Sequence, residues 1–146
     1  PKLVIDHSFQ NQENALVNAT TGTDHMARPR NFAEDTVLAQ AADLFARMGY
    51  NGSSIDDLLS ATGLQRGSLY KAFGSKRNLF EKVLAGALGP GWTDRPASVD
   101  LLIVALKELV REDAPIAGLC RLALEEAGPG TAQLLGARLL EHLNQT

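Results

Sequence analysis

The sequence holds a single cysteine, Cys120, in 146 residues. One thiol excludes an internal disulfide and fits a reducing cytoplasm. Histidine is nearly as scarce: His7, His25 and His142 lie in unrelated segments, so neither a zinc site nor a histidine-driven nucleophile is indicated. Usefully paired carboxylates are missing as well. Glu125 and Glu126 are adjacent, which on a helix turns them about 100° apart and suits them to solvent. Long apolar runs are absent too. The longest, residues 101–106, has six members, against the ~20 that span a bilayer, and residues 1–25 lack the apolar stretch of a secretory signal. No segment reads as a convincing strand, and no stretch repeats. No enzymatic activity, cofactor, metal or membrane partner is therefore expected.

What is present is apolar residues at helical spacing. Hydrophobic residues make up 45% of the chain and charged ones 21%, the balance of a globular protein with a buried core. Residues 1–25 are polar and rich in Asn and Thr, which predicts a disordered leader over 1–27. Leu38, Ala41, Ala42, Phe45 and Met48 mark one face of a helix over 34–48, with Glu34 and Asp35 favourably placed in its first turn. It stops at Gly49. Further on, a loop over 89–97 contains Trp92 as its only bulky residue. Ser98 is expected to cap a helix running to 111, residues 113–115 to break it, and two more helices to cover 116–127 and 131–143. Cys120 falls on the apolar stripe of its helix and reads as a buried, inert thiol. The fold class is all-α.

Residues 53–80 organise the rest. Ile55, Leu58 and Leu59 repeat at i, i+3, i+4 behind an N-cap at Ser53 or Ser54, with Asp56 and Asp57 in the first turn, giving a helix of about two turns. Gly63 supplies the positive φ of a tight turn. A second short helix follows over 65–73, with Leu69 and Phe73 inward and Arg66, Ser68, Tyr70 and Lys71 outward. Gly74 ends it, and Ser75 caps a third helix over 75–88. Two short helices joined by a glycine-containing turn describe a helix-turn-helix, whose second helix enters the major groove of DNA.

Charge agrees with that reading. Residues 64–82 hold five bases (Arg66, Lys71, Lys76, Arg77, Lys82) and one acid (Glu81), a local +4 on a chain whose net charge is −3. A basic face on an acidic protein favours site-directed DNA binding over general coating of nucleic acid. Arg28 and Arg30 flank Pro29 ahead of the first helix, an arm suited to phosphates or the minor groove.

Gly49-Tyr50, Ser53-Ser54-Ile55, Thr62-Gly63-Leu64, Arg66-Gly67-Ser68-Leu69-Tyr70, Phe73, Ser75-Lys76 and Leu79-Phe80 resemble the N-terminal DNA-binding domain of the TetR/AcrR family of bacterial transcriptional regulators. The resemblance runs over residues 28–88. It implies a cytoplasmic repressor that binds a palindromic double-stranded operator as a homodimer and responds to a small-molecule effector. It also implies phosphate contacts from Tyr70, Lys76 and Ser53 or Ser54, and an approach to base edges by Arg66, Ser68 and Lys71, with Gly67 among them. Met26 and the Ala-Arg-Pro-Arg after it look like a natural start for the family, which makes residues 1–25 an added leader or an extended start.

Two departures stand out. Gln65 occupies the place of the recognition helix's N-cap, where the family often has Ser or Asn, and Gln caps poorly. Only 58 residues follow Leu88, fewer than the family's ligand-binding and dimerisation domain usually spans, so residues 89–146 are expected to be a truncated version of it. The alternative is a truncated regulator that pairs with full-length partners and senses no ligand.

Overall fold

The computed structural model describes the backbone of residues 24–145 and the side chains of residues 34–145. The chain divides into two units between Val37 and Leu38, and the packing below is that of the second. Helix α1 covers Asp24–Met48, starting ten residues before the expected 34. Apolar spacing could not mark that extension, because Met26 and Phe32 are the only large apolar residues from Asp24 to Thr36. The expected arm around Pro29 is therefore helical in its backbone. The leader expected over 1–27 falls, up to residue 23, outside the described residues.

From Leu38 onward α1 buries Ala41, Leu44 and Phe45. Met48, expected on the inner stripe, is 46% exposed. Leu44 takes the inner position, at i+3 from Ala41, and α1 ends at Met48 before its side chain can be covered. Helix α2 (Ile55–Thr62) contributes Leu58 to the core, α3 (Arg66–Phe73) Leu69 and Phe73, and α4 (Lys76–Ala87) Leu79, Phe80, Val83 and Leu84. The rings of Phe45 and Tyr50 both stand edge-on to Phe80, with centroids 5.1 and 5.2 Å away. Such edge-to-face arrangements add to simple area burial.

After α4 the chain bends through Gly91, at φ 78°, into a single 3₁₀ turn, Trp92–Asp94, and Trp92 is buried. Arg95 closes the bend by donating to the carbonyls of Pro90 (3.0 Å) and Ala87 (3.1 Å). Helix α5 is Pro96–Glu108. It does not begin at Ser98 as expected, because the fixed φ of Pro96 suits the first helical position and Ser98 is buried within the first turn. Nor does Pro115 act as a breaker. It lies in the first turn of α6 (Ala114–Ala127), whose N-cap Asp113 accepts from the Ile116 amide at 3.1 Å. Helix α7 (Thr131–Glu141) ends in a 3₁₀ turn, His142–Gln145. Helix α5 packs against α4, α6 and α7, and Val99, Leu101, Leu102, Val104 and Ala105 carry its buried side. Among the described residues no strand occurs, so the all-α expectation stands.

Candidate nucleic-acid interface

The local chemistry of residues 54–74 fixes two short helices at an angle. Ser54 Oγ accepts from the Asp57 amide at 3.0 Å while the Asp57 carboxylate accepts from the Ser54 amide at 2.9 Å. This reciprocal pair satisfies two amides that a bare helix start would leave open. Those hydrogen bonds from Ser54 hold the Asp57 carboxyl below the usual carboxylate range. At the other end Gly63 takes φ 74°, and its amide donates to Leu59 O. A side chain there would be strained. Helix α3 then starts at Arg66 with Gln65 in the cap position and no side-chain cap bond, as its sequence suggested. Its first amides are thus available to an outside acceptor.

Leu69 and Phe73 anchor α3 from one side, and Arg66, Gly67, Ser68, Tyr70 and Lys71 are exposed on the other. Tyr70 is 43% exposed. With its side chains an α-helix is about 10–12 Å across, close to the width of the B-DNA major groove. At Gly67 nothing stands within 4 Å of where a Cβ would project, so the close approach of a partner is unobstructed.

The structure redistributes the other expected contacts. Ser53 is fully buried and donates from Oγ to Gly49 O at 2.6 Å. Its hydroxyl serves the α1–α2 turn, and the expected phosphate contact from it is withdrawn. Ser54 stays exposed, with its hydroxyl occupied as a cap. Lys76, also expected at a phosphate, points Nζ at Tyr50 O (3.0 Å) and Ser53 O (3.1 Å) and lies 4.3 Å from the Tyr50 ring centre. Its charge is committed to the same turn. Arg77 makes a bidentate pair with Asp113 at 2.7 Å in each arm and a further contact with Glu81. The Asp113 carboxylate raises the guanidinium's pKa above its ordinary value, and Arg77 in turn lowers that of Asp113. The +4 counted along residues 64–82 is therefore not all available at the surface. Arg66 and Lys71 carry it on α3, and Arg66 pairs with Asp56 across the outer surface. Arg28 and Arg30 lie on the α1 backbone, and their side chains are outside the described residues.

Two partners in this arrangement were invisible to sequence reading. Asp113 lies 36 residues from Arg77, and Glu108, whose carboxylate accepts from the Tyr50 and Asn51 amides, lies 58 and 57 residues away from them. No local spacing announces either.

Farther along, α5 and α6 frame an open groove of about 440 Å³ lined by Leu106, Val110, Ala117, Cys120 and Leu124, with Arg121 and Glu125 at its rim. Burial pushes the Cys120 thiol up to about 11, which suppresses the reactive thiolate at neutral pH. Among the described residues no group of three or more His, Cys, Asp or Glu gathers as a metal site, and no helix is long and apolar enough to cross a membrane.

Residues 37–83 match the family model described as bacterial regulatory proteins, tetR family. The chain is 46% identical over 55 residues to an uncharacterized HTH-type transcriptional regulator, YezE, of Bacillus subtilis (strain 168), covering 38% of this chain and 28% of that protein. It is 31% identical over 100 residues to the HTH-type transcriptional repressor BdcR of Escherichia coli (strain K12), covering 68% and 45%. To the repressor ComR of the same strain it is 42% identical over 57 residues, covering 39% and 27%. The chain thus spans less than half the length of these curated relatives. No solved structure matches.

Proposed function

Since residues 37–83 place this chain in the tetR family of bacterial regulatory proteins, we propose that it regulates transcription in the cytoplasm as a repressor that reads a double-stranded operator through α3. The observation that carries the proposal is the division of α3. Leu69 and Phe73 are locked in the core while Arg66, Ser68, Tyr70 and Lys71 stand together on the solvent side of a rod of groove dimensions. Arg66 and Lys71 approach base edges, and Arg66 selects guanine through O6 and N7. Tyr70 donates to a phosphate, and the uncapped first amides of α3 offer a second phosphate site.

Arg66 must leave Asp56 to reach a base. Both side chains are more than half exposed, and a pair so accessible to water holds its partners by under about 1 kcal/mol, so the exchange costs little. Two reading heads on a palindromic site supply the contacts that one head lacks, which favours a homodimer. The α5–α6 groove falls in the volume range of small-molecule sites. An effector bound there shifts the population toward a conformer whose heads no longer match successive grooves.

Selection of bound duplexes from a random pool tests the reading, followed by titration of the selected duplex against salt. If each head neutralises about four phosphates, the dimer's log K falls against log salt with a slope on the order of −7. A slope near zero would remove the phosphate contacts from the mechanism.

Within the selected site, Arg66→Ala is expected to relax preference at one base position by ~1–3 kcal/mol, whereas Tyr70→Phe weakens all sequences alike. Competition binding with single-base variants separates the two. Equal losses on selected and random duplexes for Arg66→Ala would take the base-reading role from it.

A further inference from the structure

We propose that Glu108 is a positioning residue of the reading head: a carboxylate supplied by the end of α5 that sets the α1–α2 turn from which the helix-turn-helix is aimed. The inference rests on the DNA-binding reading above and adds to it a residue outside the family-matched stretch. Oε1 of Glu108 accepts from the Asn51 amide at 2.7 Å, and Oε2 accepts from the Tyr50 amide at 3.2 Å. Both are charge-assisted bonds to backbone, the stronger class.

The rest of the turn is built around this carboxylate. Gly49 takes φ 82°, and a Cβ added to it would lie 2.8 Å from Glu108 Oε2. Glycine is thus demanded at that position twice, by the backbone angle and by the approach of Glu108. On the opposite edge, Lys76 Nζ binds the carbonyls of Tyr50 and Ser53. The amide edge of the turn is therefore held by an anion from α5 and the carbonyl edge by a cation from α4. The next residue, Ser54, is the N-cap of α2, and α2 packs on α3. Any reorientation of the turn is passed directly to the rod that reads DNA.

A residue that aims the head matters for the selected sequence and little for phosphate attraction, which tolerates misalignment. The test uses the full chain with Glu108→Ala, which removes both acceptors, and Glu108→Gln, which keeps the shape and one acceptor but loses the charge. Binding is measured on the duplex selected by the unmodified protein and on a random duplex, and amide hydrogen exchange is followed at Tyr50 and Asn51. For Glu108→Ala, affinity for the selected duplex is expected to fall about tenfold or more, the ~1.4 kcal/mol or above that two lost charge-assisted bonds supply. Affinity for the random duplex should change less than about threefold, and the two amides should exchange faster while those of α5 do not. Glu108→Gln should fall between. Unchanged discrimination in Glu108→Ala, or a parallel loss on both duplexes with general acceleration of exchange, would overturn the positioning role. Failure of the unmodified protein to bind any duplex would instead overturn the DNA-binding reading, so the two failures are distinguishable.

Discussion

Phe80→Ala is expected to cost ~3–5 kcal/mol of folding free energy. The ring is fully buried in α4 and forms edge-on contacts with both Phe45 of α1 and Tyr50 of the following turn. Truncation removes the transfer free energy of the ring, opens a cavity between α4, α1 and the turn after α1, and discards two aromatic pairs worth about 0.5–1.5 kcal/mol each. These contributions overlap, so they are not summed. Against a total stability of about 5–15 kcal/mol for a domain of this kind, the loss is a large fraction, and at the low end of that range it leaves the molecule close to its unfolding midpoint. Urea unfolding followed by helical circular dichroism measures it, and DNA binding should fall with the folded fraction. A loss below about 1 kcal/mol would mean that the three rings do not form the packing centre of the reading head.

Asp100→Ala is expected to release α7 at a cost of about 2–3 kcal/mol. Helix α7 has no fully buried residue. Leu134 and Leu135 are half-buried, and a polar cluster holds it on α5: Asp100 accepts from Arg138 at 2.8 and 2.7 Å, and His142 Nε2 lies 3.0 Å from the same carboxylate. The hydrogen bonds that Arg138 donates to Asp100 raise its pKa above the ordinary value, and because a guanidinium is protonated at neutral pH even without such a partner, it stays charged when Asp100 is gone. Losing one member of a fully enclosed pair costs roughly 3–5 kcal/mol. Here 17% of the Arg138 side chain remains exposed and water offsets part of that. Urea unfolding followed by helical circular dichroism measures the cost in every variant, and trypsin cleavage after Arg138 is expected to accelerate in Asp100→Ala. The double change Asp100→Leu with Arg138→Met should recover stability by replacing the pair with apolar contact. A double variant no more stable than the single one would show that α7 depends on the charges themselves.

The reading head was legible in the chain because its signals are short-ranged. Of the two candidate caps Ser53 and Ser54 it is Ser54 that opens α2, Gly63 sits in the left-handed region, Gly74 ends α3, and Ser75 caps α4. Each is settled within four residues by a backbone hydrogen bond or a φ angle. The outward set on α3 follows equally from spacing, since Leu69 and Phe73 leave only one side for Arg66, Ser68, Tyr70 and Lys71. Two local expectations failed at helix ends. Pro96, not Ser98, opens α5, and Met48 escapes the core because α1 ends under it.

By itself the sequence determined the two short helices α2 and α3, the turn between them and the face that α3 turns to solvent, because periodicity and capping act between residues a turn apart. The tertiary structure decided which charges remain for a partner. Lys76 and Arg77 look equivalent to Lys71 along the chain, yet one is bound to the turn carbonyls and the other to Asp113, while Glu108 reaches back 58 residues to the Tyr50 amide. Ion pairs and hydrogen bonds over such separations are set by how helices pack, and no spacing rule along one helix encodes that.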